Sequence, residues 1–437
     1  MNKYPNAVKK KLISLVREMS ASPSLFVKNP EKDFTRERKL PFETMLRILL
    51  SMGGNSICKE LMEAQGYHAS TATTAAFVQQ RNKILPSALE FLFHEFTRSF
   101  PYTKKYREYR LLAGDGSDLR IATDPSDPDT YYQNCEDGKG YNLLHLNAMY
   151  DLCSSLYVDA SVQSGKLQNE RKALTDMVDR SNIKDKVILI ADRNYESYNV
   201  FAHIEQKGWN YVIRVKDLDS NGILSGLHLP ATDEFDVCIQ RILTRKKTKE
   251  VRAHPEIYRF MPKNVIFDFV NVHSNQFYAM SFRVVRFKIS DDSYETVITN
   301  LHQSDFPPEE LKELYRKRWG IETSFRELKY SIGLINFHSK KAECIVQEIF
   351  ARMIMYNFCE LITSHVIIHR TDTRYLYQVN FTVAIHICRY FLRLWNNARP
   401  PDVEALIQKN ILPVRPGRKD KRKKRSKSVV SFLYRVA

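Results

Sequence analysis

The sequence predicts an α/β protein in which a core, split in two along the chain, is interrupted by an all-β insertion and preceded by an all-helical N-terminal region. Three observations carry this. Apolar residues repeat with a helical period through roughly the first hundred positions, and from about residue 108 they alternate as in strands. Three strands, a helix, a strand, a helix and a strand then follow in that order. Between residues 216 and 300 come runs rich in Val, Ile, Phe and Tyr with polar breaks, before helical periodicity resumes.

Residues 1–105 show helical periodicity in Val8 to Met19, Phe42 to Met52 and Ala88 to Phe96, the last opened by Pro86-Ser87. Ser70-Thr71-Ala72-Thr73 opens a further helix containing Phe77, Gln79, Gln80, Arg81 and Ile84. A small basic-and-amide helical unit suits contact with DNA; an ordinary packing domain reads the same way. In residues 106–215, Tyr109 to Leu112 is a strand leading into the acidic turn residues Ala113 to Asp118. Strands Asn142 to Asp151 and Ser155 to Val162, helix Glu170 to Arg180, strand Lys186 to Ala191, helix Glu196 to Lys207 and strand Trp209 to Val215 complete an RNase H-like order. Asp115 follows the first strand and Asp192 the fourth, where neighbouring strands bring two carboxylates close; Asp118 is the rival to Asp115. Acids at strand ends are also ordinary turn formers.

The insertion, residues 216–300, reads as strands Phe235 to Leu243, Asn264 to Val272, Gln276 to Lys288 and Tyr294 to Thr299. Arg241, Arg245, Lys246, Lys247, Lys249 and Arg252 form a basic hairpin edge that either grips DNA or protects an edge strand from pairing. Residues 301–400 are the second part of the core, with long apolar-striped helices over Lys341 to Ile368 and Tyr375 to Asn396. Residues 401–437 are a basic tail, with nine Lys or Arg and one Asp between Arg415 and Lys427.

At 437 residues the chain is long enough for two to four domains, and 43% hydrophobic with 11% aromatic content excludes wholesale disorder. A net charge of +17 favours a polyanionic partner. Seven scattered cysteines without a CxxC pair fit a reducing cytosol and give no zinc-site spacing. The N-terminus lacks the apolar segment of a signal peptide, and the apolar run Ile349 to Ile368 is broken by Arg352, Glu360 and His365, so a buried helix is expected and no membrane span.

Leu314 to Leu334 reads as one helix, entered through Pro307-Pro308 and closed by Gly333. Leu314, Ile321, Phe325, Leu328 and Ile332 form its core stripe, and Arg316, Lys317, Thr323, Ser324 and Glu327 its solvent face. Beside the core stripe, Tyr315, Arg318, Glu322, Arg326 and Lys329 share a strip of roughly 80°. That strip is either a ladder of i,i+4 ion pairs or a metal-ligating Glu322 with Tyr315, Arg318 and Lys329 holding a phosphate beside it.

The spacing Tyr315, two residues, Arg318, three residues, Glu322, six residues, Lys329, with Trp319 and Gly320 between, resembles the Tyr-Arg-Glu-Lys signature of the insertion-sequence-four family of bacterial DDE transposases. Asp115 between glycines and Asp192 in ADRNY resemble that family's two catalytic aspartates, and FVQQRNK resembles what the family carries ahead of its core. The resemblance implies that Asp115, Asp192 and Glu322 hold two Mg²⁺, for which Mn²⁺ substitutes, roughly 3.5 to 4 Å apart. It implies DNA contacts from Tyr315, Arg318 and Lys329; Arg326, Arg81, Arg245, Lys246 and Lys247 are further candidates, and Trp319 and Trp209 are candidates for stacking a displaced base, although large aromatics more often fill a core. The expected partners are double-stranded DNA, as terminal inverted repeats and target, and a second copy of the chain in a synaptic complex, within the nucleoid of a bacterial cytoplasm. The reaction implied is cutting at the ends of an insertion sequence and joining of the freed 3′-hydroxyl to target DNA, by a cut-and-paste route with a hairpin intermediate. Two other functions fit the same features: an inactive, transposase-derived DNA-binding protein, and an RNase H-like nuclease without strand transfer.

Overall fold

The computed structural model describes residues 2–36, 38–133, 140–218, 220–291, 293–366, 368, 376–394 and 400–414. Five helices open the chain: α1 (Lys3–Ala21), α2 (Phe42–Ser51), α3 (Ile57–Ala64), α4 (Thr74–Arg81) and α5 (Pro86–Arg98). Their starts follow local chemistry. Thr73 caps α4 by accepting the Ala76 amide at 3.2 Å, and Pro86 sits in the first turn of α5.

Then comes the sheet. Its strands are β1 (Tyr109–Ile121), β2 (Tyr131–Tyr132), β3 (Tyr141–Asp151), β4 (Leu156–Ser164), β5 (Lys186–Ala191), β6 (Asn210–Arg214), β7 (Phe235–Thr244), β8 (Tyr258–Phe260), β9 (Phe277–Ser290) and β10 (Ser293–Thr299). Helices α6 (Glu170–Arg180) and α7 (Tyr198–Gln206) lie in the crossovers, and the short α8 (Lys249–Ala253) lies between β7 and β8. The order β4-β3-β1-β5-β6, antiparallel through β4, β3 and β1 and parallel through β1, β5 and β6, is the arrangement expected of an RNase H-like core. The residues between 235 and 299 do not form a separate sheet. β10 pairs antiparallel with β6, and β9, β7 and β8 follow outward, giving one sheet of ten strands. The expected strand over Asn264 to Val272 is absent: this stretch is turns and irregular backbone, its Phe267 and Val270 anchored in the core.

The second half of the chain supplies α9 (Pro308–Lys317), α10 (Trp319–Arg326), α11 (Ala342–Thr363), strand β11 (Tyr377–Val379), α12 (Phe381–Arg393), α13 (Val403–Lys409) and strand β12 (Ile411–Pro413). Residues 401–414, expected in the tail, are folded through α13 and the pairing of β12 with β11; the basic run from Arg415 lies outside the described residues. One face of the sheet packs α6 and α7 through Leu112, Leu174, Leu189 and Phe201. The opposite face packs α9, α10 and α11 through Leu111, Ala113, Ile188, Ile190, Leu314 and Ile321, and α1, α2 and α5 close over α11 in the same core.

The helical region is fastened to α11 by a buried ion cluster. Glu348 accepts Arg81 at 2.9 Å, Arg352 at 2.8 Å and His338 at 3.1 Å, and Arg81 also donates to Gln347 at 3.1 Å. Burial opposes the charge on Glu348, but the two guanidiniums and the imidazole hold its carboxyl well below the usual range. Arg81, expected to touch DNA, is 3% exposed and belongs to this cluster instead. Because Arg81→Ala would leave a buried carboxylate short of a partner, it should destabilise the protein by about 3 kcal/mol, read as a lowered urea midpoint; Lys83→Ala, at the 3.9 Å edge of Asp33, should change it little.

Candidate active site

Asp115 does not follow the first strand; it lies within it, because β1 continues to Ile121 along β3. Its position is set by the parallel register of β1 on β5, whose last pair is Gly114 with Ala191. Asp115 and Asp192 are therefore the next residues on two adjacent strands. They share a face as well, since Asp115 alternates in step with Leu111 and Ala113, and Asp192 with Ile188 and Ile190, all turned toward α9, α10 and α11. Asp118 falls on the opposite face, where its carboxylate bonds His145 Nδ1 at 2.7 Å. Gly114 and Gly116 flank Asp115 because α6 and His145 press against that other face: a Cβ on Gly116 would stand 2.4 Å from His145 Nε2 and 2.8 Å from Glu170 Oε1.

The third acid arrives over this face on a helix that is not continuous. Pro308 opens α9 with Glu309 and Glu310 in its first turn, the chain turns at Arg318, and α10 widens into a π-turn over Glu327–Ser331 before Gly333, at φ +91°, ends it. Leu314, Ile321, Phe325, Leu328 and Ile332 are all buried, as the stripe requires. Ser324, expected at the solvent face, is buried too; it hydrogen bonds the Tyr157 hydroxyl at 2.8 Å, a partner on β4 that periodicity does not reveal. Glu327 is half-buried and accepts from the Tyr356 hydroxyl at 3.3 Å.

Arg318 is the centre of the cluster. It is 7% exposed, its Nη2 donates to Glu322 Oε1 at 2.7 Å, and its Nη1 stands 3.9 Å from Asp115 Oδ2. Burial raises the Asp115 carboxyl to about 6; its bond from the Gly116 amide and the Arg318 charge pull the other way, and Asp192 and Glu322 add repulsion. Asp192 is likewise raised by burial, against the Asn194 amide and Arg318, with Glu170 adding to the rise. Three carboxylates from three elements thus interact around one guanidinium. Their hard oxygens suit Mg²⁺ or Mn²⁺ in kind. Among the described residues, however, no three His, Cys, Asp or Glu side chains stand close enough together to grip one ion; here Glu322 is turned to Arg318.

The neighbouring residues divide. The Tyr315 hydroxyl is buried without a hydrogen-bond partner, and burial raises its pKa. Lys329 Nζ donates to the Asp118 carbonyl at 2.9 Å, its pKa lowered by burial against the pull of Asp118 and Asp115. Trp319 is 58% exposed beside Arg318, whose guanidinium lies 5.5 Å from its ring. Arg326 is exposed, as are Arg316 and Lys317. Trp209, the other stacking candidate, is buried in the core. In the expected basic edge, Arg241 is buried and Arg245 is spent on backbone carbonyls, donating to Pro262 at 2.6 Å and Val265 at 3.0 Å among others. Lys246 and Lys247 lie instead near aromatic rings, 5.4 Å from Phe277 and 5.6 Å from Phe260. Nothing local in the sequence marks His145 and Glu170, which stand behind Asp115; the glycine at 116 is the trace their packing leaves in the chain.

The model of the transposase DDE domain family matches residues 106–358, from the start of β1 through most of α11. This chain belongs to that family. No curated protein matches the sequence. Among solved structures, the piggyBac transposase synaptic complex with hairpin DNA aligns at 10% identity and a TM-score of 0.45, covering 97% of this chain and 88% of that one. By its membership of the DDE domain family the protein is a DDE transposase, an enzyme class that works with divalent metal ions, and the cluster around Arg318 lies inside the residues that the family model matches.

Since the Asp115 carboxyl is raised in the fold above its unfolded value of about 3.9, its ionised form destabilises the metal-free transposase at neutral pH. Asp115→Asn should therefore raise unfolding stability at pH 7 by about 2 kcal/mol or less. The gain should shrink as the pH falls through 6 and vanish below about 4, a trend that thermal melts across this range will check.

Proposed function

We propose that this transposase cuts at the ends of an insertion sequence and joins the freed 3′-hydroxyl to target DNA, with Asp115, Asp192 and Glu322 as its catalytic triad and with membership of the insertion-sequence-four family. The observation that supports the triad most directly is Arg318, held 2.7 Å from Glu322 and 3.9 Å from Asp115, with Asp192 close enough to repel Asp115. Asp115, Asp192 and Glu322 would hold the divalent ions, which when bound supply an activated water and neutralise charge on the phosphate. That role asks Glu322 to leave Arg318, and a phosphate is the natural replacement partner for the freed guanidinium, which meets it with two parallel donors. The unpartnered Tyr315 hydroxyl sits in the same strip and donates to a phosphate oxygen, while Lys329 adds a second cation from the π-turn.

Trp319, exposed next to Arg318, stacks a base displaced from the duplex end, as a hairpin intermediate requires. Terminal inverted repeats, a homodimer in the synaptic complex, Mg²⁺ with Mn²⁺ as substitute, and a place in a bacterial nucleoid complete the reading. Residues 1–105 contribute to DNA binding through faces other than that of Arg81.

Asp115→Asn, Asp192→Asn and Glu322→Gln should each abolish Mg²⁺-dependent cleavage of the cognate end while leaving end binding in a gel shift intact; cleavage retained by Glu322→Gln would remove the triad. Trp319→Ala should weaken binding of an end with an unpaired terminal base by about tenfold, from the 1–3 kcal/mol of one lost stack, and leave fully paired ends unaffected in fluorescence titrations.

A further inference from the structure

Behind the triad, on the face of β1 turned toward α6, stands a second charged group that no step above uses. His145 is 4% exposed, and in register it lies opposite Asp118. Its Nδ1 is 2.7 Å from Asp118 Oδ1, and its Nε2 is 3.1 Å from Glu170 Oε1, an ion-pair approach without hydrogen-bond alignment. Burial works against a charge on this ring, but the two carboxylates outweigh it and hold the imidazole up at about 9, so it is cationic at neutral pH. Gly116 leaves the room for this contact, since any side chain there would occupy the space of His145 Nε2 and Glu170 Oε1. Glu170 is the first residue of α6, and the next residue, Arg171, donates to the Asn194 carbonyl at 2.7 Å, which ties this end of α6 to the turn that Asp192 opens; the Glu170 charge also raises the Asp192 carboxyl. A fourth carboxylate thus borders the triad, and the group that faces it is His145.

We propose that His145 is a positioning residue: anchored on Asp118 of β1, it holds the Glu170 carboxylate aside from Asp192, so that divalent ions meet three acidic ligands and not four. The inference rests on Asp192 being a metal ligand. An extra carboxylate would bind a cation more tightly and neutralise part of the charge that the phosphate needs to meet, so affinity and turnover should move in opposite directions when the restraint is lost.

The test measures Mn²⁺ affinity by calorimetry without DNA, and cleavage of the cognate end at saturating metal. His145→Gln removes the cation; it should bind Mn²⁺ about tenfold more tightly and cleave about tenfold more slowly, the scale typical of groups that orient metal ligands. His145→Gln with Glu170→Gln should return both values to near wild type. A merely structural His145 would lower affinity and rate together, with no rescue by Glu170→Gln. Unchanged affinity in His145→Gln, or a double variant that restores neither value, overturns the proposal. Should His145→Gln not fold, Glu170→Gln alone decides: near wild-type affinity and cleavage support the proposal, and loss of Mn²⁺ binding overturns it by making Glu170 a ligand. Asp192→Asn that still cleaves would instead sink the triad assignment, a result separate from all of these.

Discussion

The site depends on the parallel register between β1 and β5. Pairing of Gly114 with Ala191 makes Asp115 and Asp192 neighbours at the point where β5 ends and β1 runs on, and strand alternation turns both toward the same helices. A slip of one residue would send one acid to the α6 face. The register is specified by burial on both sides: Val187, Leu189 and Ala191 pack one way, Ile188 and Ile190 the other, and all are fully inaccessible. Two like charges brought this close in a dry setting repel, and Arg318 is the cation that makes the arrangement tolerable in the absence of metal.

Placing that arginine is the task of the layer outside the sheet. Phe325, Leu328 and Ile332 lock α10 and its π-turn into the core with α11 and α12, and polar contacts set the rotation: Ser324 to Tyr157, Glu327 to Tyr356, and Tyr356 to Tyr150 at 3.1 Å. α11 is in turn gripped from outside by the N-terminal helices, through apolar packing and the Glu348 cluster. Those helices are therefore part of the support for the site, whatever else they touch.

Much of this was legible in the chain itself. The core helices and strands show clear periodicities, and α6 and β5 fall where the sequence places them, because their burial patterns are strong and their ends carry Asn169 and Asp192 as caps. Asn264 to Val272 misled because two buried aromatic and aliphatic anchors in an irregular loop look like alternation. Arg81 and Arg245 misled for a different reason: a basic residue in a polar run reads as solvated, and only the fold shows a carboxylate or a ring of carbonyls waiting for it. The same holds for His145 and Glu170, whose proximity to the acids exists only across the sheet. The strip from Tyr315 to Lys329 was found because one helix face is a local property, although its two departures from α-geometry were not visible in the spacing.

The second of those departures has its own meaning. Over Glu327–Ser331 the backbone bonds reach five residues back, as from the Ile332 amide to the Glu327 carbonyl at 2.9 Å, so this turn holds a residue more than its neighbours do. Slack of that kind lets a helix change its pitch locally without unwinding. Tightening it would rotate Lys329 about the axis while Glu322, upstream on α10, kept its place beside Arg318, so the lysine's aim is adjustable independently of the acid's.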